Sequence, residues 1–120
     1  MRFGSLERRV MDFLWDSHGP RTAREVHQHL AMAGPIAYTT VATSLQRLAA
    51  KGVLAQDTSG RAHAFEPRLT RDDLVDRLIG EALGVMADRP GTFSRFVGRL
   101  SEDERARLRS ALDHLDPNER

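Results

Sequence analysis

Apolar residues recur at helical spacing through most of the chain. Leu6, Val10, Phe13 and Leu14 follow the i, i+4, i+7, i+8 pattern, and Met11 and Trp15 widen the stripe, which predicts a helix over residues 5–17. His18-Gly19-Pro20 stops it. Thr22-Ala23-Arg24-Glu25 then opens a second helix as a capping box, the Thr hydroxyl accepting from the backbone N–H of Glu25 while the carboxylate reaches back. Val26 and Leu30 face inward, and Ala33-Gly34-Pro35 forms the break. A third helix is predicted over residues 39–51, with Val41, Leu45 and Leu48 on one face and Ser44 at its edge. Gly52 suits the first residue past its end.

The period then shortens. Residues 53–56 and 61–66 read as two strands joined by Thr58-Ser59-Gly60, so that Arg61, His63 and Phe65 would share one face of a hairpin and Ala62 and Ala64 the other. Residues 67–69 are a connector, and three further helices follow. The first, over residues 70–88, carries Leu74, Val75, Leu78, Ile79, Ala82, Val85 and Met86 as a broad stripe, and Arg89-Pro90-Gly91 ends it. Phe93, Phe96, Val97 and Leu100 mark the second. Ser101 and Glu104 cap the third, in which Leu108, Ala111, Leu112 and Leu115 face inward, and Pro117 ends the ordered pattern.

The order is mainly α: a winged helix-turn-helix of three helices plus a β-hairpin wing over residues 1–67, then a three-helix C-terminal region over residues 70–116. The last region has wide apolar stripes in about fifty residues, too few for a sound core of its own. Pairing with a second copy would bury them, most simply as a two-fold dimer. The candidate dimerisation residues are Leu74, Val75, Leu78, Ile79, Phe93, Phe96, Val97, Leu100, Leu108 and Leu112.

The outer face of the third helix is unusual. It carries Thr39, Thr43, Gln46, Arg47 and Ala50, with Thr40 on its flank, and no acidic residue occurs between Tyr38 and Gln56. A merely solvated face would favour Glu and Lys, which form helices better than Thr. A recognition helix in the major groove explains the choice. Thr offers a hydroxyl and a methyl group, Gln pairs with adenine and Arg with guanine, while carboxylates would repel phosphate. Arg61 and His63 in the wing are candidates to touch phosphate or the minor groove, and Arg21 and Arg24 at the start of the second helix are candidate backbone contacts.

Composition adds bounds. The chain of 120 residues carries a net charge of +1, which hides an asymmetry. Residues 1–68 hold nine basic and six acidic groups, and residues 69–120 hold nine and eleven. Seventeen of the basic residues are Arg, as a GC-rich genome would favour. The absence of cysteine excludes disulfides, thiolate metal sites and a cysteine nucleophile, and fits a cytoplasmic protein. No apolar run reaches a membrane-spanning length, and MRFGSLERRV has no signal-peptide core, so no membrane association is expected. The five histidines include no i, i+4 pair, and no acid, base and nucleophile set can be assembled. No metal, no cofactor and no enzymatic activity are expected.

LERRVMDFLW from Leu6, AREVHQHL from Ala23, AYTTVATSLQRLAAKGVL from Ala37 and RAHAFEP from Arg61 resemble the bacterial penicillinase-repressor family of the BlaI/MecI type, in order and spacing. The resemblance implies a cytoplasmic homodimeric transcriptional repressor that binds an inverted-repeat operator with TACA/TGTA-like half-sites. By position it implies recognition-helix roles for Thr40, Thr43 and Arg47 and a wing role for Arg61. It also implies a membrane sensor protease as a partner. The matching bond here is Arg95-Phe96, where relatives often carry Asn-Phe. The cysteine motifs of copper-responsive relatives are missing from the sequence. From the residues alone, two other classes remain: a winged-helix protein-interaction module without specific DNA binding, and a ligand-gated regulator.

Overall fold

The structure, a computed structural model, describes residues 3–115. Helix α1, Ser5–Asp16, presents Val10, Met11 and Leu14 to the core. It stops one residue before its expected end, where Ser17 turns extended and its Oγ donates to Phe13 O at 2.7 Å. The capping box at Thr22 forms as expected and starts α2, Ala23–Ala31. Helix α3, Tyr38–Ala50, buries Val41, Ser44, Leu45 and Leu48. It ends in a full Schellman arrangement: Gly52 N–H donates to Ala49 O, Val53 N–H donates to Leu48 O, and Gly52 adopts φ 79°.

The sheet differs from the expected hairpin in two ways. It has three antiparallel strands in the order β1-β3-β2: β1 is Arg21–Thr22, β2 is Leu54–Asp57 and β3 is Ala64–Pro67. The two-residue β1 pairs Arg21 with Phe65 and Thr22 with Ala64. Pairing in the wing ends at Asp57 and Ala64, so Arg61, Ala62 and His63 lie in the loop and not in the strand. The expected alternation of Arg61, His63 and Phe65 on one strand face therefore does not hold. Phe65 is buried, whereas Arg61 and His63 are exposed. Asp57 causes the early break, because its Oδ1 accepts from Ser59 N at 2.9 Å and from Ser59 Oγ at 2.6 Å, folding the chain locally. Those two bonds hold the Asp57 carboxyl below its usual range, the Ser59 side chain contributing most.

The core gathers α1, α2, α3 and the sheet around Met11, Leu14, Leu45, Leu48, Leu54 and Phe65. Helix α4, Arg71–Ala87, starts from Thr70, whose hydroxyl accepts from Asp73 N at 3.1 Å. Leu74 belongs to this same core at 2 % exposure, and Leu78 packs against it. Both were expected on the dimerisation face. They stand at i, i+4 on the side of α4 that meets its own chain, so Leu74 is occupied before any second copy arrives. Arg71 fixes this start, with its guanidinium over the Trp15 ring at 5.0 Å and bonded to Asp12 at 3.3 Å.

The chain divides into two compact units within α4, between Leu78 and Ile79, later than the composition boundary near residue 70. The second unit holds the rest of α4, then α5, Thr92–Arg99, and α6, Glu102–Asp113. The expected capping box of Ser101 and Glu104 forms and opens α6. Among the described residues from 79 onward none is fully buried, and Ile79, Leu83, Val85, Phe93, Phe96, Leu108 and Leu112 are all exposed. This is the apolar surplus the stripes foretold.

Candidate nucleic-acid interface

Helix α3 projects its acid-free face to solvent because Val41, Leu45 and Leu48 lock the opposite face into the core. Its entry is fixed from two sides. His27 Nε2 donates to Ile36 O at 2.8 Å, and the Tyr38 ring meets His27 edge-on at 5.7 Å. Thr39, Thr40, Thr43, Gln46 and Arg47 are all exposed, as the sequence predicts.

At about 100° per residue, Gln46, Thr39, Ala50 and Thr43 form the crest of α3, Gln46 at its wing-side edge, and Arg47 lies on the opposite flank. Two grooves run along these sides. One is lined by Arg24, Tyr38, Gln46, Arg61 and His63, joining the start of α2, α3 and the wing. The other is lined by Thr39, Thr40, Thr43, Ser44 and Arg47 of α3 together with residues 4–7 at the start of α1. Arg24, Arg47 and Arg61 make no hydrogen bond or ion pair with any described residue. They are exposed cations that no described residue neutralises.

Arg21 departs from this group. It was expected beside Arg24, but its strand pairing turns it elsewhere. It bonds Glu25 at 3.2 Å and lines a separate groove with Phe13, Asp16 and His29. The Glu25 carboxyl is held below its usual range, first by the backbone N–H of Thr22 and then by the Arg21 guanidinium. In the wing, Gln56 Nε2 donates to His63 Nδ1 at 2.9 Å.

Three groups that the sequence reading did not single out line the grooves beside α3. Arg68 shares a shallow groove with Gln46, Ala50 and Gln56. Tyr38, half-exposed, lines the wing-side groove. The first turn of α1 borders the opposite groove. Each comes from a segment whose local pattern speaks of something else: a connector, a helix start and a core helix. Among the described residues no cluster of three or more His, Cys, Asp or Glu could hold a metal. No described helix is long and apolar enough to cross a membrane.

Residues 3–114 match the family described as penicillinase repressor. The chain is 44% identical over 118 residues to the transcriptional regulator BlaI of Mycobacterium tuberculosis, covering 96% of this chain and 86% of that protein. Its fold is similar to the solution structure of the DNA-binding domain of the repressor BlaI, with a TM-score of 0.54 and 28% identity over 60% of this chain and 87% of that one. The fold alone is also shared with H. salinarum RosR, at a TM-score of 0.51 and 10% identity over 92% of this chain and 91% of that one.

Proposed function

The chain belongs to the penicillinase repressor family, and from that premise we propose that it is a sequence-specific transcriptional repressor that binds an inverted-repeat operator as a homodimer. The observation that carries this reading is the placement of Thr39, Thr43 and Gln46 on an exposed, acid-free helix face, with Arg24 and Arg61 along one side and Arg47 along the other. A helix in the major groove has a phosphate backbone on each side, so base-reading groups belong on its crest and cations on its flanks. Gln46 and the threonines meet base edges, and Arg24, Arg61 and His63 meet the backbone.

Dimerisation rests on the second unit. Ile79, Phe93, Phe96, Leu108 and Leu112 are too apolar to stay in water as a set, and a two-fold partner covers them symmetrically. Two winged helices then engage two half-sites, which is why the operator is expected to be an inverted repeat. The reading as a protein-interaction module does not account for three guanidinium groups, unpartnered among the described residues, around an acid-free helix. A sensor protease acting at Arg95-Phe96 would have an exposed Phe96 to reach in the single chain.

The experiment is selection of genomic DNA fragments by the purified protein at near-physiological salt, read by sequencing. An enriched inverted repeat supports the reading and names the promoters. Enrichment without a motif, at any salt, would leave only non-specific binding and defeat it.

A further inference from the structure

The wing-side groove supplies cations for one DNA strand, and the opposite strand needs its own seat. We propose that the groove between the first turn of α1 and the flank of α3 carrying Thr40 and Arg47 binds a phosphate of that opposite strand. This rests on the DNA-reading function proposed above.

Three observations converge. Helix α1, 12 residues long, begins at Gly4, which has no side chain to cap it and makes no side-chain cap bond, so the N–H groups of its first turn remain available as donors. A helix start of this kind favours an anion through both those donors and the helix dipole. Arg47 lines the same groove and has no partner among the described residues. The independent sign is Ser44. It is 4% exposed, lines this groove, and its Oγ is buried without any hydrogen-bond partner. A buried hydroxyl left unpaired destabilises the free protein, and one satisfied by a ligand does not. Glu7 also borders the groove, but its carboxylate is met by Lys51 Nζ at 3.1 Å.

The roles follow from the geometry. Backbone N–H groups of Ser5 and Leu6 donate to phosphate oxygens, Arg47 supplies the charge, and the hydroxyls of Thr40 and Ser44 complete the ring of donors. Arg47 is therefore a backbone clamp here and not a guanine reader. Seating this phosphate sets how deep and at what roll α3 enters the groove.

The test uses the full chain, the repeat recovered by fragment selection, and duplexes in which one phosphate at a time is replaced by a neutral methylphosphonate. Ser5→Pro deletes one donor while keeping the helix, since Pro suits the first helical position. Ser44→Ala deletes the hydroxyl and is expected to melt at or above the wild-type temperature. Each variant loses one charge-assisted hydrogen bond per protomer, two per dimer, and should bind the natural repeat about 100-fold more weakly. That loss should shrink to about tenfold at one methylphosphonate position in each half-site, where one of the two seats has lost its phosphate charge. Wild-type affinity in both variants, or an equal loss at every position, overturns the seat while leaving the DNA-reading function standing. A wild-type protein that does not distinguish the repeat from scrambled DNA overturns both. Should Ser5→Pro melt early, the same cycle with Ser44→Ala decides.

Discussion

Arg21 and Arg24 are three residues apart, and the structure gives them opposite fates. Arg21 is tied to Glu25, whereas Arg24 has no partner among the described residues and shares a groove with Gln46, Arg61 and His63. Substituting each by Ala should separate them cleanly. Each phosphate neutralised contributes about 0.9 to the slope of log affinity against log salt. Arg24→Ala removes one contact per protomer, two per dimer, so the slope should become shallower by about 1.8. Between 50 and 200 mM salt that amounts to about a tenfold smaller fall in affinity. The loss should be alike on operator and random DNA, because a backbone contact carries no sequence information. Arg21→Ala should leave the slope unchanged. Fluorescence anisotropy across that salt range measures both. A slope that Arg24→Ala does not move, or that Arg21→Ala moves equally, would refute the assignment of the wing-side groove to phosphate.

Other consequences concern the scaffold. Leu74→Ala should destabilise the fold by about 2–5 kcal/mol, as for a buried leucine elsewhere, without changing the mass seen by light scattering. Phe96→Asp should do the reverse, halving that mass while the N-terminal unit stays folded, as followed by Trp15 fluorescence. Glu25→Gln should lower the melting temperature at pH 7. The Glu25 carboxyl sits below its usual range in the folded chain, so its contribution is present above pH 4.5, its ordinary value, and is lost as pH falls through the folded value. Melting of the two proteins should therefore converge in acid.

The helices were legible because each carries a periodic stripe and a local stop signal. The capping residues Thr22 and Ser101 and the terminator Gly52 act within a few residues, so their sequence meaning survives folding. What escaped depends on partners distant in sequence. Strand β1 exists only because Phe65 and Ala64 lie alongside Arg21 and Thr22. Leu74 reads as part of one continuous stripe with Ile79, yet it packs against the first unit while Ile79 is exposed. Nothing in the periodicity of α4 marks where its allegiance changes. The crest of α3 was readable from its lack of acid, whereas the grooves beside it require knowing that residues 4–7 and Arg61 arrive at its two flanks.

The central claim is that two copies of α3 read two half-sites together. Its most direct test is an equilibrium titration of the chain against the selected repeat and against the same duplex with one half-site scrambled. Joint engagement predicts that scrambling weakens binding by about 100-fold or more, since the second contact is made at high effective concentration. Equal affinity for the two duplexes would contradict it.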